Sequence, residues 1–157
     1  AIYEAIEQLK NYRQQEGSNL EEDISTRIKL IQEKVSAIEK IEDLRVERVK
    51  TRIGNNLEEH IGKDKIDTNR FEQEIIYFLE KLDITEEKVR LRSHCSYFLE
   101  TMAEDQPVGK KLAFISQEIG REINTIGSKA NDKDLQKFVV EMKDELEKIK
   151  EQTLNIL

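Results

Sequence analysis

The chain has 157 residues with 26 Lys+Arg against 33 Asp+Glu, a net charge of −7, and its charged fraction of 38% exceeds the roughly 25% usual in soluble domains. One Pro, six Gly, no Trp and no apolar run near the ~20 residues of a membrane span exclude collagen-like, low-complexity and helix-spanned membrane classes. Cys95 has no cysteine to pair with and no apolar leader opens the chain, which predicts a reducing, cytoplasmic setting.

The pattern Ile2, Ala5, Ile6, Leu9 is helical from the first residues, and a chain opening this way on Ala1 predicts a fragment of a longer protein. Leu20, Ile24, Ile28, Ile31, Val35 and Ile38 then step by three and four, placing a narrow apolar stripe on one helix face, as in a coiled coil. Asn19, with Glu22 three residues on, predicts the start of this helix, and Ile53 its end. Such an arm would reach roughly 50 Å and needs a partner helix or subunit. Gly54 to Asp67 holds two glycines and paired asparagines and predicts a linker over 54–66.

Asp67, Thr68 and Asn69 offer caps for a helix ending near Leu82, and Asp83 with Glu86 offers a cap for the next. That helix carries Leu91, His94, Cys95, Phe98, Leu99 and Met102 on one stripe. Pro107 suits the first turn of a following helix, which Gly127-Ser128-Lys129 ends; the last starts after Asn131-Asp132. No alternating strand pattern occurs. The expectation is an all-α fold of about six helices: a long helical hairpin or coiled-coil-like arm over 1–53, the linker, and a helical bundle over 67–157.

No phosphate loop, zinc spacing, nucleophile elbow or HExxH motif is present. Basic and acidic residues are spread evenly along the chain, so a role on nucleic acid has to rest on local groups rather than on a basic domain. Glu72 falls in the middle of the apolar face of Ile75, Ile76, Leu79 and Leu82, where a carboxylate needs a cation, as a structural ion pair or a functional group. Glu87, Arg90 and His94, at i, i+3 and i+7, line up a carboxylate, a guanidinium and an imidazole; His94 reads either as a proton carrier or as a satisfied core residue. Gln117, Arg121, Asn124 and Ser128 align with Glu118 and Glu122 on their flank, suiting phosphate and sugar oxygens or an inter-helix polar network. Arg45, Arg48 and Arg52 form a basic stripe that suits a nucleic-acid backbone or a paired solvated face.

The stretches Arg70-Phe71-Glu72-Gln73-Glu74, Asp83 through His94, Pro107 through Glu118 and Arg121 through Ala130 resemble the YicC/YloC family of bacterial endoribonucleases. Glu147 through Gln152 resembles the family's closing helix, and Arg13 through Leu20 its mid-chain segment. The resemblance implies the C-terminal half of a longer protein whose N-terminal α/β domain is absent here. It further implies a cytoplasmic, homo-oligomeric, hexameric nuclease that cuts single-stranded RNA with a divalent cation, Mg²⁺ or Mn²⁺. The residues it brings forward are Glu72, Glu87 and His94 for catalysis and Glu72, Glu87, Glu118 and Glu122 for metal. Arg90, Arg121, Gln117, Asn124 and Lys129 are brought forward for RNA. The competing expectation is a non-catalytic helical oligomerisation or RNA-holding module whose activity needs the missing domain.

Overall fold

The first helix, α1 (Ile2–Ile61), extends beyond both predicted ends and would span about 90 Å at ~1.5 Å per residue. The computed structural model describes residues 1–130 and 132–156. Asn19 sits inside α1 rather than capping it, because one interior glycine such as Gly17 costs only ~1 kcal/mol among strong helix formers. Gly54 through Ile61, expected as linker, is helical too, with Gly54 turned toward Phe71, whose ring would lie 3.6 Å from an added Cβ. The chain leaves the helix only at Gly62, where φ is +82°, and passes through a single 3-10 turn, Lys63–Lys65. A left-handed φ there favours glycine because a Cβ would crowd the backbone.

The next helix, α2 (Thr68–Leu82), starts where Asp67 Oδ1 accepts from the amides of Asn69 at 3.0 Å and Arg70 at 3.4 Å. Helix α3 (Thr85–Met102) begins one residue later than a cap at Asp83 would place it. Asp83 instead accepts from the Thr85 amide at 2.9 Å and hydroxyl at 2.6 Å, fixing the turn, while Ile84 occupies the cap position. Helix α4 (Gly109–Lys129) follows Pro107 by two residues, so the proline precedes the first turn rather than forming part of it. The last helix, α5 (Lys133–Thr153), is capped by Asp132, which accepts from the Asp134 amide at 2.8 Å. Asn131, expected beside it at the start, lies outside the described residues. The fold is all-α, with five α-helices rather than six and no strand among the described residues. No described helix is long and apolar enough to cross a membrane.

Helices α3, α4 and α5 pack in succession, and the middle of α1 lies across α3 and α5. Ile24, Ile28, Ile31, Val35 and Ile38, the stripe read from spacing, are completely buried in this packing. Each contributes about 1.5–3 kcal/mol through apolar area removed from water. Ion pairs border the stripe: Arg27 with Glu145 at 2.9 Å and Lys34 with Glu141 at 2.7 Å reach α5, and Lys88 with Glu42 at 2.9 Å reaches α3. These pairs are partly to largely buried, where desolvation offsets much of the attraction between the charges, so they set the register of α1 while the stripe supplies most of the stability.

Helix α2 touches α1 and buries one residue, Ile75, leaving Ile76, Tyr77 and Phe78 exposed. The opening turns of α1 are bare as well. Ile2, Ile6 and Leu9 continue the buried stripe in phase but face solvent, with Tyr3 and Tyr12 beside them.

Candidate functional site

The antiparallel course of α3 and α4 sets the first turn of one against the last turn of the other, and of the residues singled out in the sequence Glu87 and Lys129 meet there. Glu87 in the first turn of α3 accepts from Lys129 Nζ in the last turn of α4 at 2.6 Å, and the same ammonium donates to the Asp83 carbonyl at 3.0 Å. Both charges also sit favourably in the helix dipoles, the anion at an N-terminus and the cation at a C-terminus. Glu87 is only 3% exposed, and its Oε2 has no hydrogen-bond partner among the described residues. Burial pushes this carboxyl up, but the Lys129 hydrogen bond and charge, aided by Arg90, hold it below its ordinary value.

Arg45 reaches the same junction from α1. Its Nη2 donates at 2.7 Å to the carbonyl of Lys129, one of the oxygens a helix end leaves without an intrahelical partner. The guanidinium is 6% exposed; burial lowers its pKa, against the nearby charges of Glu42, Asp132 and Asp83. Arg48 pairs with Asp132 at 3.0 Å. The stripe of Arg45, Arg48 and Arg52 is therefore not one open basic track: its first member closes a helix end in the interior. Beside Arg45 a cleft of about 340 Å³ opens between α1 and α2, walled by Val46, Val49, Ile76, Leu79 and Ile84.

One turn along the seam, Arg90 Nε donates to Glu122 Oε1 at 2.8 Å, and Arg90 Nη1 donates to Glu86. The Glu122 hydrogen bond chiefly raises the Arg90 pKa, so the guanidinium stays charged. His94 follows at the next turn, half-buried. Further on, the Lys111 ammonium of α4 lies 5.1 Å from the centroid of the Tyr97 ring of α3 and 3.3 Å from Glu104. Tyr97 and Lys111 carried no signal in the sequence, since an aromatic–lysine contact across two helices has no periodicity of its own.

The four carboxylates expected around a metal are not gathered. Glu87 faces Lys129, Glu122 faces Arg90, and Glu118 faces Arg121 at 3.3 Å on its own helix. Glu72 is exposed on α2 and has no ion-pair partner among the described residues, because α2 buries too little of its apolar face to enclose it. No three His, Cys, Asp or Glu side chains among the described residues are placed to hold a cation. The donor set as arranged does not fit a divalent metal: three of its oxygens already accept from cations, and the fourth group stands on another element. Of the residues expected on RNA, Arg90 and Lys129 lie in the seam, while Arg121, Gln117 and Asn124 face outward from α4.

These features define a class: an all-α element whose polar face is a charge-paired helix seam rather than a cluster of metal-ligating groups. The chain matches the family described as "Endoribonuclease YicC-like, C-terminal" over residues 38–157, and it belongs to that family. It is 40% identical over 157 residues to a "Probable endoribonuclease YicC" of Clostridioides difficile (strain 630), covering 99% of this chain and 54% of the relative. Over 91 residues it is 36% identical to a protein of the same name from Haemophilus influenzae, covering 58% of this chain and 32% of that relative. The chain thus spans about half the length of the first relative and a third of the second.

Proposed function

We propose that this chain is the helical part of an endoribonuclease that hydrolyses phosphodiester bonds in single-stranded RNA, with the α3–α4 seam turned to the strand. The supporting observation is the order of groups along that seam in a chain of this family: Glu87 with Lys129, Arg90 with Glu122, then His94. Phosphodiester hydrolysis needs a group that moves a proton and cations beside the phosphate oxygens. Arg90 presents a planar fork that a phosphate can engage in competition with Glu86 and Glu122, and His94 is the one imidazole within a turn of it. Glu87 and Lys129 hold the two helix ends together, so the spacing of Arg90 and His94 is set by packed helices rather than by a loop.

The reading includes a divalent cation because the family resemblance implies one. It assigns that cation no position among this chain's paired carboxylates and routes no proton through it. Homo-oligomerisation, as a hexamer, and a cytoplasmic setting enter by the same resemblance.

A second reading, a non-catalytic oligomerisation or RNA-holding module, has its own support in the uncovered Ile2, Ile6 and Leu9 on the first turns of α1. Incubating end-labelled single-stranded RNA with this chain and with the longer protein, each in Mn²⁺ and in EDTA, separates the two. Cutting by this chain that EDTA abolishes supports the first reading. Retention of RNA without cutting, while the longer protein cuts, supports the second. No cutting and no retention by either protein removes both.

A further inference from the structure

The seam continues beyond His94 to two aromatic rings. Tyr97 on α3 is 43% exposed and Phe114 on α4 is 61% exposed, and Lys111, one turn before Phe114, extends across to the Tyr97 ring. The surroundings of these rings are unusual for exposed apolar groups. On its own helix Tyr97 is flanked at three and four residues by Ser93, His94, Glu100 and Thr101, and Phe114 by Lys110, Lys111, Gln117 and Glu118. No exposed Leu, Ile, Val or Met borders either ring at those positions. The first turns of α1 and the face of α2 differ, since there aliphatic and aromatic side chains form continuous stripes of the kind another protein covers. Rings set among ammonium, amide, imidazole and carboxylate groups, with the Lys111 ammonium beside the Tyr97 ring and paired with Glu104, suit a ligand that is itself a flat ring on a charged backbone able to compete for that ammonium.

The geometry points to a base-stacking subsite for single-stranded RNA at Tyr97 and Phe114, with Lys110 and Lys111 meeting the phosphates on either side. This rests on the proposed endoribonuclease reading and extends the strand's path. Tyr97 lies seven residues after Arg90 on the same face of α3, about 10 Å along the helix. At ~3.4 Å per stacked nucleotide, that spans about three nucleotides. Stacking on aromatic faces tolerates any base, so the subsite positions a strand without selecting a sequence.

The test uses this chain and a short unstructured RNA carrying 2-aminopurine, in EDTA so that the strand stays intact. The unsubstituted chain is expected to bind the probe and quench its fluorescence. Tyr97→Ala and Phe114→Ala are each expected to weaken binding roughly fivefold to a hundredfold and to lose quenching, with unchanged thermal midpoints because both rings are exposed. Tyr97→Phe, which keeps the ring, is expected to retain both signals. Binding by Tyr97→Ala and Phe114→Ala within about twofold of the parent and with full quenching overturns the subsite, as does a parent chain that does not bind the probe. Loss of self-association in Phe114→Ala with unchanged RNA binding assigns the rings to a second copy and overturns it too. Stacking by a protein that never cuts RNA leaves the subsite standing and removes only the hydrolytic reading. Cutting and binding that ignore the Tyr97 and Phe114 substitutions remove only the subsite.

Discussion

Lys129 at the end of α4 holds Glu87 at the start of α3 across 2.6 Å, with almost none of the carboxylate left in water. The pair joins residues 42 positions apart, and the carbonyl of the same lysine is closed by Arg45 from α1. Three helices therefore meet at one residue, and removing its charge should be felt beyond one contact.

Lys129→Met is expected to destabilise the fold by roughly 3 kcal/mol, because it leaves Glu87 buried without its cation; the partial exposure of Lys129 keeps the cost at the low end for a broken buried pair. Adding Glu87→Gln should recover part of that loss by removing the stranded charge. Urea midpoints at constant m-value read both effects. A single substitution that moves the midpoint by less than ~0.5 kcal/mol equivalent shows the pair to be dispensable.

Stability should fall in acid. Asp83 is lowered chiefly by its hydrogen bonds from Thr85, and Glu39 by its hydrogen bond from Arg92. In Glu87 burial is the largest single influence and pushes the carboxyl up, but the Lys129 hydrogen bond and charge, its own backbone amide and Arg90 together hold it below its ordinary value. A carboxyl held lower in the folded state binds protons more readily when unfolded, so its contribution is full above the ordinary values of 3.8 for Asp and 4.5 for Glu and is lost as pH drops through the folded values. Denaturant midpoints measured from neutral pH downward should therefore decline below about pH 4.5, and Glu87→Gln should make the decline shallower.

Three of the helical glycines, Gly127, Gly120 and Gly17, should respond differently to alanine. At Gly127 a Cβ would meet Val139 Cγ1 at 3.1 Å, and that β-branched side chain is packed and stiff, so a loss of about 1–2 kcal/mol is expected. At Gly120 the contact is Leu146 Cδ2 at 3.2 Å, the end of a more adaptable side chain, and the gain in helix propensity should bring the change near zero. Gly17 has nothing within 4 Å of an added Cβ, and Gly17→Ala should add up to ~1 kcal/mol of local helix stability. Thermal melts of the three variants give the order directly. Gly127→Ala as stable as Gly17→Ala would contradict the close approach of α4 to α5.

Cys95 is completely buried among α3 core residues, and burial pushes its thiol up to about 12. It should resist a thiol reagent at neutral pH in the folded chain and react fully in denaturant, at a rate under native conditions that follows unfolding. Prompt reaction of the native protein would show that the α1–α3 packing opens locally.

Glu72 and Glu87 separate what was legible from what was not. The spacing puts Glu72 in the middle of an apolar face and Glu87 in line with Arg90 and His94, which would make Glu72 the more deeply buried of the two. In the fold Glu87 is enclosed by neighbouring helices and meets a lysine, whereas Glu72 stands in water because α2 packs chiefly on α1 and buries only Ile75. Arg45 gives the same lesson in reverse. Its place in a basic stripe suggests an open surface, yet α1 carries it under the end of α4.

The helices themselves, the caps at Asp67 and Asp132, the buried stripe from Ile24 to Ile38 and the family motifs were all determined by the sequence, since periodicity and capping act over a few neighbouring residues. The linker expected over 54–66 is confined to 62–66, because glycine and asparagine weigh against a helix only slightly and neighbouring strong formers carry α1 on to Ile61. Charge partners and the Tyr97–Lys111 contact were decided only by tertiary structure. Which cation neutralises a buried carboxylate depends on which helix face is laid against it, and that is settled by packing between segments dozens of residues apart.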